Sequence, residues 1–160
     1  MNLYFLRHGE ADWPNWTKSD DERPLTARGK DEMKKIAAFL ARLDCSLDHI
    51  VTSPLPRAQQ TAKIVAKELE LTLQEDTDLK PGFGISELKD LLKRYPGKSL
   101  MIVGHEPDFT ETIYALTGGS VKLSKAGVAL VDLNPGSMQG RLLWLFPPRV
   151  AKAGLRRERN

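Results

Sequence analysis

Residues 1–10 read Met1-Asn2-Leu3-Tyr4-Phe5-Leu6-Arg7-His8-Gly9-Glu10, a run of apolar strand formers that stops abruptly on polar residues. A short, continuously apolar segment bounded by a polar loop is the pattern of a strand buried on both faces. The same pattern returns twice. His49-Ile50-Val51-Thr52 stops at Ser53-Pro54-Leu55-Pro56-Arg57, and Ser99-Leu100-Met101-Ile102-Val103 stops at Gly104-His105-Glu106.

Helical spacing fills the intervals. Thr26 is suited to cap a helix carrying Met33, Ile36, Ala37, Leu40 and Leu43 on one face. Ala58, Ala62, Val65 and Leu69 form a second stripe, and Ile85 to Tyr95 a third helix ended by Pro96-Gly97. Leu71 to Gln74 suits a further strand and Pro81-Gly82 a turn. Pro107 stands where the first turn of a helix through Leu116 begins, and Gly118-Gly119 ends it. Two late runs, Gly127 to Leu133 and Arg141 to Phe146, read as strands about an Asn134-Pro135-Gly136 turn. Residues 11–24, with Trp13, Trp16 and an acidic stretch, keep neither period and read as a loop. This alternation predicts an α/β three-layer sandwich: a mainly parallel central sheet flanked by helices, with antiparallel strands at its end.

The chain of 160 residues fits one core, expected over 1–148, followed by a basic C-terminal tail over 149–160 that includes Lys152, Arg156, Arg157 and Arg159. Its 41% hydrophobic and 28% charged residues lie near the globular average. No apolar run reaches the roughly 18 residues of a membrane span, and no signal-peptide profile opens the chain, so a cytoplasmic location is expected. The single Cys45 has no disulfide partner and reads as a small buried hydrophobe. The net charge of +3 is spread among 21 acids without an aromatic-lined basic groove, which argues against nucleic acid as a partner.

Three strands thus end in chemically loaded loops: Arg7-His8, Ser53 with Arg57, and His105-Glu106. Parallel strands bring their carboxyl ends to one sheet edge, where ligands bind. Arginine presents a planar donor fork matched to phosphoryl oxygens, and the helix starting near Pro107 adds its positive end beside His105. A histidine can attack phosphorus only if one ring nitrogen keeps its lone pair while the other donates its proton to an acceptor. Arg7 and Arg57 would favour that neutral form of His8 and also neutralise charge developing on the transferred group. Ser53 has no G-x-S-x-G elbow, so it is expected to serve the loop or to give phosphate a minor hydrogen bond. Trp13 and Trp16 are open to two readings, packing of a long loop or a lip for a protein substrate, and His49 to a structural one.

Together, Leu6-Arg7-His8-Gly9-Glu10, the block Ser53-Pro54-Leu55-Pro56-Arg57-Ala58-Gln59-Gln60-Thr61-Ala62, and Val103-Gly104-His105-Glu106 resemble the histidine phosphatase superfamily. The short chain and Arg23-Pro24-Leu25-Thr26-Ala27-Arg28-Gly29 are similar to its small phosphohistidine-phosphatase (SixA-like) branch. The resemblance implies a phosphoglycerate-mutase-like fold and a phosphatase working through a phosphorylated His8. It implies a pocket of Arg7, Arg57 and His105, and Arg23 as a further substrate contact. It implies neither metal nor organic cofactor, and as substrate a phosphohistidine protein or a small phosphorylated molecule. The proton-donating Glu that related mutases carry on an insertion has no counterpart in the short segment Leu73 to Ile85. Glu106 matches the acid of the acid-phosphatase branch and is the candidate donor. A phosphatase of small phosphomonoesters and a non-catalytic phospho-ligand module are the alternatives.

Overall fold

Leu3 and Phe5 lie in one hydrophobic core and Tyr4 and Leu6 in another, all four buried. A strand whose alternate side chains all find apolar partners must be covered on both sides. The computed structural model describes residues 1–157, the side chain of Arg157 excepted. In chain order its elements are β1 (Asn2–Arg7), α1 (Ala27–Arg42), β2 (His49–Thr52), α2 (Pro56–Glu68), β3 (Leu73–Glu75), α3 (Ile85–Arg94), β4 (Ser99–Gly104), α4 (Asp108–Thr117), β5 (Val128–Asn134), β6 (Gln139–Phe146) and α5 (Pro148–Arg157). Single 3-10 turns occupy Asp20–Glu22 and Thr77–Leu79.

The strands form one six-stranded sheet in the order β3-β2-β4-β1-β5-β6. β3, β2, β4 and β1 run parallel, and β5 and β6 are antiparallel. Met33, Ile36, Ala37 and Leu40 of α1, with Ala58, Ala62 and Val65 of α2, cover one face. Leu88 and Leu91 of α3, with Phe109, Ile113 and Leu116 of α4, cover the other. The α/β sandwich expected from the sequence is the observed fold.

Boundaries differ where local hydrogen bonding decides them. Leu43 lies past the end of α1 and is 42% exposed, so it does not belong to the buried stripe. Leu71 donates its N–H to Ala66 O at 2.9 Å, finishing the exit from α2, and the strand starts two residues later. Thr26 caps α1, its hydroxyl accepting from Gly29 N at 3.0 Å. Gly118 ends α4 in the left-handed conformation at φ 75°. Cys45 is half-buried against the core rather than enclosed in it.

Of the basic segment 149–160, the residues through Arg157 belong to the helix Pro148–Arg157. Ala151 is buried in the α1–α2 core, and Lys152 pairs with Glu32 of α1. Arg159 lies outside the described residues. Among the described residues no helix is long and apolar enough to cross a membrane.

Candidate functional site

β4 lies between β1 and β2, and its register aligns Gly104 with Arg7 and Val103 with Thr52. The ladder continues one residue further on each side, through His8 N to Gly104 O at 3.2 Å and Ser53 N to Val103 O at 3.0 Å. His8, Ser53 and His105 therefore leave the sheet at one level. Pro56 occupies the first turn of α2, where its missing N–H is harmless, and brings Arg57 onto the same edge. His105 O accepts from Phe109 N at 3.1 Å and so starts α4.

The rings of His8 and His105 lie with centroids 5.4 Å apart and planes tilted by 57°. His8 is 9% exposed and His105 3%. His8 Nδ1 donates to Gly9 O at 2.7 Å, since a carbonyl oxygen can only accept. Nε2 of His8 consequently carries the lone pair. His105 Nε2 is hydrogen-bonded to Ser53 Oγ at 2.8 Å, whereas its buried Nδ1 has no hydrogen-bond partner among the described residues. Burial pushes His8 down to about 3, with His105, Arg57 and Arg7 adding to the effect and the Gly9 carbonyl opposing it. Burial, then Arg57, lowers His105 to about 4. Both imidazoles are neutral at pH 7 in the free protein.

Arg7 donates from Nη1 to Leu123 O at 3.0 Å, and Arg57 from Nη1 to Asp20 O at 2.9 Å. The Nε of each is buried without a hydrogen-bond partner among the described residues. Burial lowers both guanidinium pKa values, yet Glu106 and Asp12 counter it at Arg7, and Asp21 and Asp20 at Arg57. Arginine stays charged under such shifts. The edge therefore joins two fixed cations to two neutral imidazoles.

Behind them stands Thr61, which carries no role in the sequence reading. Its hydroxyl donates to Arg57 O at 2.8 Å and accepts from Gly9 N at 3.0 Å, joining the first turn of α2 to the backbone that holds His8 Nδ1. Gln60 accepts from Leu25 N at 2.8 Å and ties the same helix to the loop before α1. Spacing offered one signal, since Thr61 falls one helical turn after Arg57.

Ser53 is fully buried; besides His105 its hydroxyl accepts from Leu55 N at 3.3 Å. Arg23 donates to Ala11 O at 2.8 Å and lies 3.7 Å from Asp12 and 3.5 Å from Asp20. Glu106 is turned onto α4: Thr110 N donates to one oxygen at 3.1 Å and Thr110 Oγ1 to the other at 2.7 Å. Burial raises its carboxyl pKa, and the Thr110 bonds oppose the rise. His49 is remote, its Nε2 donating to Pro96 O at 3.0 Å. An open groove of about 590 Å³ lined by Met1, Asn134 and Arg141 lies at the opposite end of β1 and contains none of these groups. Among the described residues no group of three or more His, Cys, Asp or Glu side chains is placed to hold a metal ion.

The family model of the histidine phosphatase superfamily (branch 1) matches residues 3–87. An uncharacterized protein of Picosynechococcus is 39% identical over 137 residues, 80% of this chain and 82% of that protein. The phosphohistidine phosphatase SixA of Escherichia coli is 26% identical over 163 residues, 96% of this chain and 99% of that one. The solved structure of the protein histidine phosphatase SixA complexed with tungstate superposes with a TM-score of 0.83 at 26% identity, covering 93% of this chain and 98% of that one. With His8, His105, Arg7 and Arg57 gathered on the carboxyl edge of the sheet, this chain belongs to the histidine phosphatase superfamily.

Proposed function

We propose that this chain is a phosphatase that removes phosphoryl groups from phosphohistidine in proteins, with His8 as the covalent carrier. The observation that carries the proposal is the bond from His8 Nδ1 to Gly9 O, which leaves Nε2 as an attacking lone pair beside Arg7 and Arg57. In the first step Nε2 bonds to phosphorus while the bond from phosphorus to the substrate nitrogen breaks, its electron pair leaving with that nitrogen. Arg7, Arg57 and His105 receive the charge that spreads over the equatorial oxygens. Water then attacks the phosphoryl group on His8 as the bond from phosphorus to Nε2 breaks and its electron pair returns to Nε2; the water's protons leave with the inorganic phosphate, and neutral His8 returns. Arg23 would contact substrate beyond the phosphoryl group. Ser53 is assigned to holding His105 rather than to touching phosphate, because its hydroxyl is already engaged.

The leaving group favours phosphohistidine. An alkoxide must be protonated as it departs, whereas an imidazole with its other nitrogen protonated leaves neutral. Both oxygens of Glu106, the candidate donor, are taken by Thr110, which supports a substrate that needs no strong acid. The chain also aligns with nearly the full length of a protein named for phosphohistidine phosphatase activity. A second reading, hydrolysis of small phosphomonoesters, rests on the half-buried position of Glu106 directly after His105, where burial raises its carboxyl pKa against the Thr110 bonds.

Rapid quench with ³²P-labelled phosphohistidine protein is expected to trap acid-labile, alkali-stable label on wild-type protein and none on His8→Ala. Turnover should fall roughly a thousandfold or more in that variant. Absence of trapped label from a protein that still binds the substrate would make it a binding module. Comparing phosphohistidine protein with a sugar phosphate panel, on wild type and Glu106→Gln, separates the two enzyme readings. Faster cleavage of the esters, slowed by Glu106→Gln, would replace the first reading with the second.

A further inference from the structure

The loop between β1 and α1 exposes two tryptophans beside the proposed phosphoryl pocket. Trp13 is 39% exposed and Trp16 half-buried, with ring centroids 6.3 Å apart and planes tilted by 36°. Each indole spends its one polar atom on the loop itself: Trp13 Nε1 donates to Pro24 O at 2.9 Å and Trp16 Nε1 to Ser19 O at 2.8 Å. Pro24 follows Arg23, and Ser19 precedes Asp20, whose carbonyl accepts from Arg57. Trp13 is therefore anchored one residue from Arg23, and Trp16 one residue from the carbonyl that holds Arg57.

Loop closure does not require the rings. Arg23 on Ala11 O, Arg57 on Asp20 O and the capping box between Ser19 and Glu22 already hold the segment. Two large apolar faces held in position, one exposed and one half-exposed, are binding surface, as aromatic side chains with a satisfied polar end are at interfaces. The charge around them selects the guest. Residues 10–22 contain Glu10, Asp12, Asp20, Asp21 and Glu22 against one cation, Lys18. Asp12 is engaged by Lys125 and Arg23, and Asp20 lies 3.5 Å from Arg23 while staying exposed, as does Asp21. The Asp21 carboxylate also acts through space on Arg57 and His105. An acidic rim above a cationic floor repels polyanions and welcomes a single phosphoryl group on a neutral or basic carrier. Aromatic faces beside carboxylates favour a Lys or Arg side chain, held by cation–π and ionic attraction together.

We propose that Trp13 and Trp16, with Asp20 and Asp21, form a specificity shelf that recognises a cationic side chain next to the phosphorylated residue of a protein substrate. This rests on the phosphoryl pocket proposed above and adds the part of the substrate that pocket does not touch.

Four peptides test it, phosphorylated on His or on Tyr and flanked by Lys or by Glu. Wild type is expected to prefer Lys flanks about tenfold in kcat/KM, chiefly through KM. Trp13→Ala and Trp16→Ala should each bring that preference down severalfold, while hydrolysis of phosphoramidate, too small to reach the shelf, stays within about twofold. Trp13→Phe, which keeps an aromatic face, should retain most of the preference, and Asp21→Asn should weaken it. Lack of a flank preference in wild type overturns the shelf. So does equal loss on Lys peptides, Glu peptides and phosphoramidate, which would make the rings supports of the pocket. Equal rates on the His and Tyr series would instead overturn the phosphohistidine reading and leave the flank comparison valid. Should no peptide turn over, binding of the same peptides to His8→Ala protein decides: a severalfold tighter Lys series sustains the shelf, and equal affinities overturn it.

Discussion

Ser53 illustrates how a residue visible in the sequence changes meaning in three dimensions. In the chain it stands between a strand and Pro54, a polar residue near the expected phosphate. In the fold it is fully buried and bonded to His105 Nε2 and Leu55 N. Ser53→Ala leaves a buried ring nitrogen without a partner, a loss of about 1–3 kcal/mol. We expect a matching drop in urea-unfolding stability and a roughly tenfold lower kcat/KM, since a small displacement of a phosphate-binding ring is costly. Unchanged stability and activity would show that the hydroxyl holds nothing in place. Arg7, His8, Arg57 and His105 were legible because strand ends and charged loops leave a local signature. The carbonyls of Leu123 and Asp20 were not, because a backbone acceptor has no identity in sequence, and Thr61 offered only its spacing from Arg57, not its partners.

At the scale of elements, the contact between α1 and the loop after His8 is the least forgiving. Thr26 N donates to Glu10 O at 3.0 Å, and a Cβ on Gly29 would run into that same oxygen well inside van der Waals contact. Alanine in a helix interior is intrinsically better than glycine by about 1 kcal/mol. Here the obstacle is backbone, which cannot swing aside as a side-chain tip can, so the clash outweighs the propensity. Gly29→Ala is expected to destabilise by about 1–3 kcal/mol and to lower activity by shifting Gly9 and Glu10. A higher melting temperature in that variant would show that the loop yields. The helices and the three long apolar strands were legible in outline because their burial periods are strong. Their ends were set by bonds the pattern does not encode, such as Leu71 to Ala66, and the packing of α5 on α1 by a contact distant in sequence.

Over the whole molecule, two imidazoles buried in neutral form couple stability to pH. Their folded values of about 3 and about 4 lie below the unfolded value near 6.5, so the unfolded chain binds more protons between these limits. Their contribution is therefore intact above about pH 6.5 and is lost as pH falls towards 4, by up to about 1.4 kcal/mol per pH unit for each histidine. Urea unfolding of His8→Asn between pH 4.5 and 7 should show a shallower rise of stability with pH than wild type, and parallel slopes would refute the linkage. A bound dianion raises both values, so inorganic phosphate should stabilise the protein more at pH 5.5 than at pH 8 when its own ionisation is allowed for. The sequence alone determined the layered α/β architecture and the set of chemical groups, because burial period and residue chemistry are properties of neighbouring residues. Only the tertiary structure decided that β4 enters between β1 and β2, which brings His105 beside His8, joins Ser53 to His105 and turns Glu106 onto Thr110. Strand order and hydrogen-bond partners depend on which distant surfaces pack together, and local pattern carries no record of that choice.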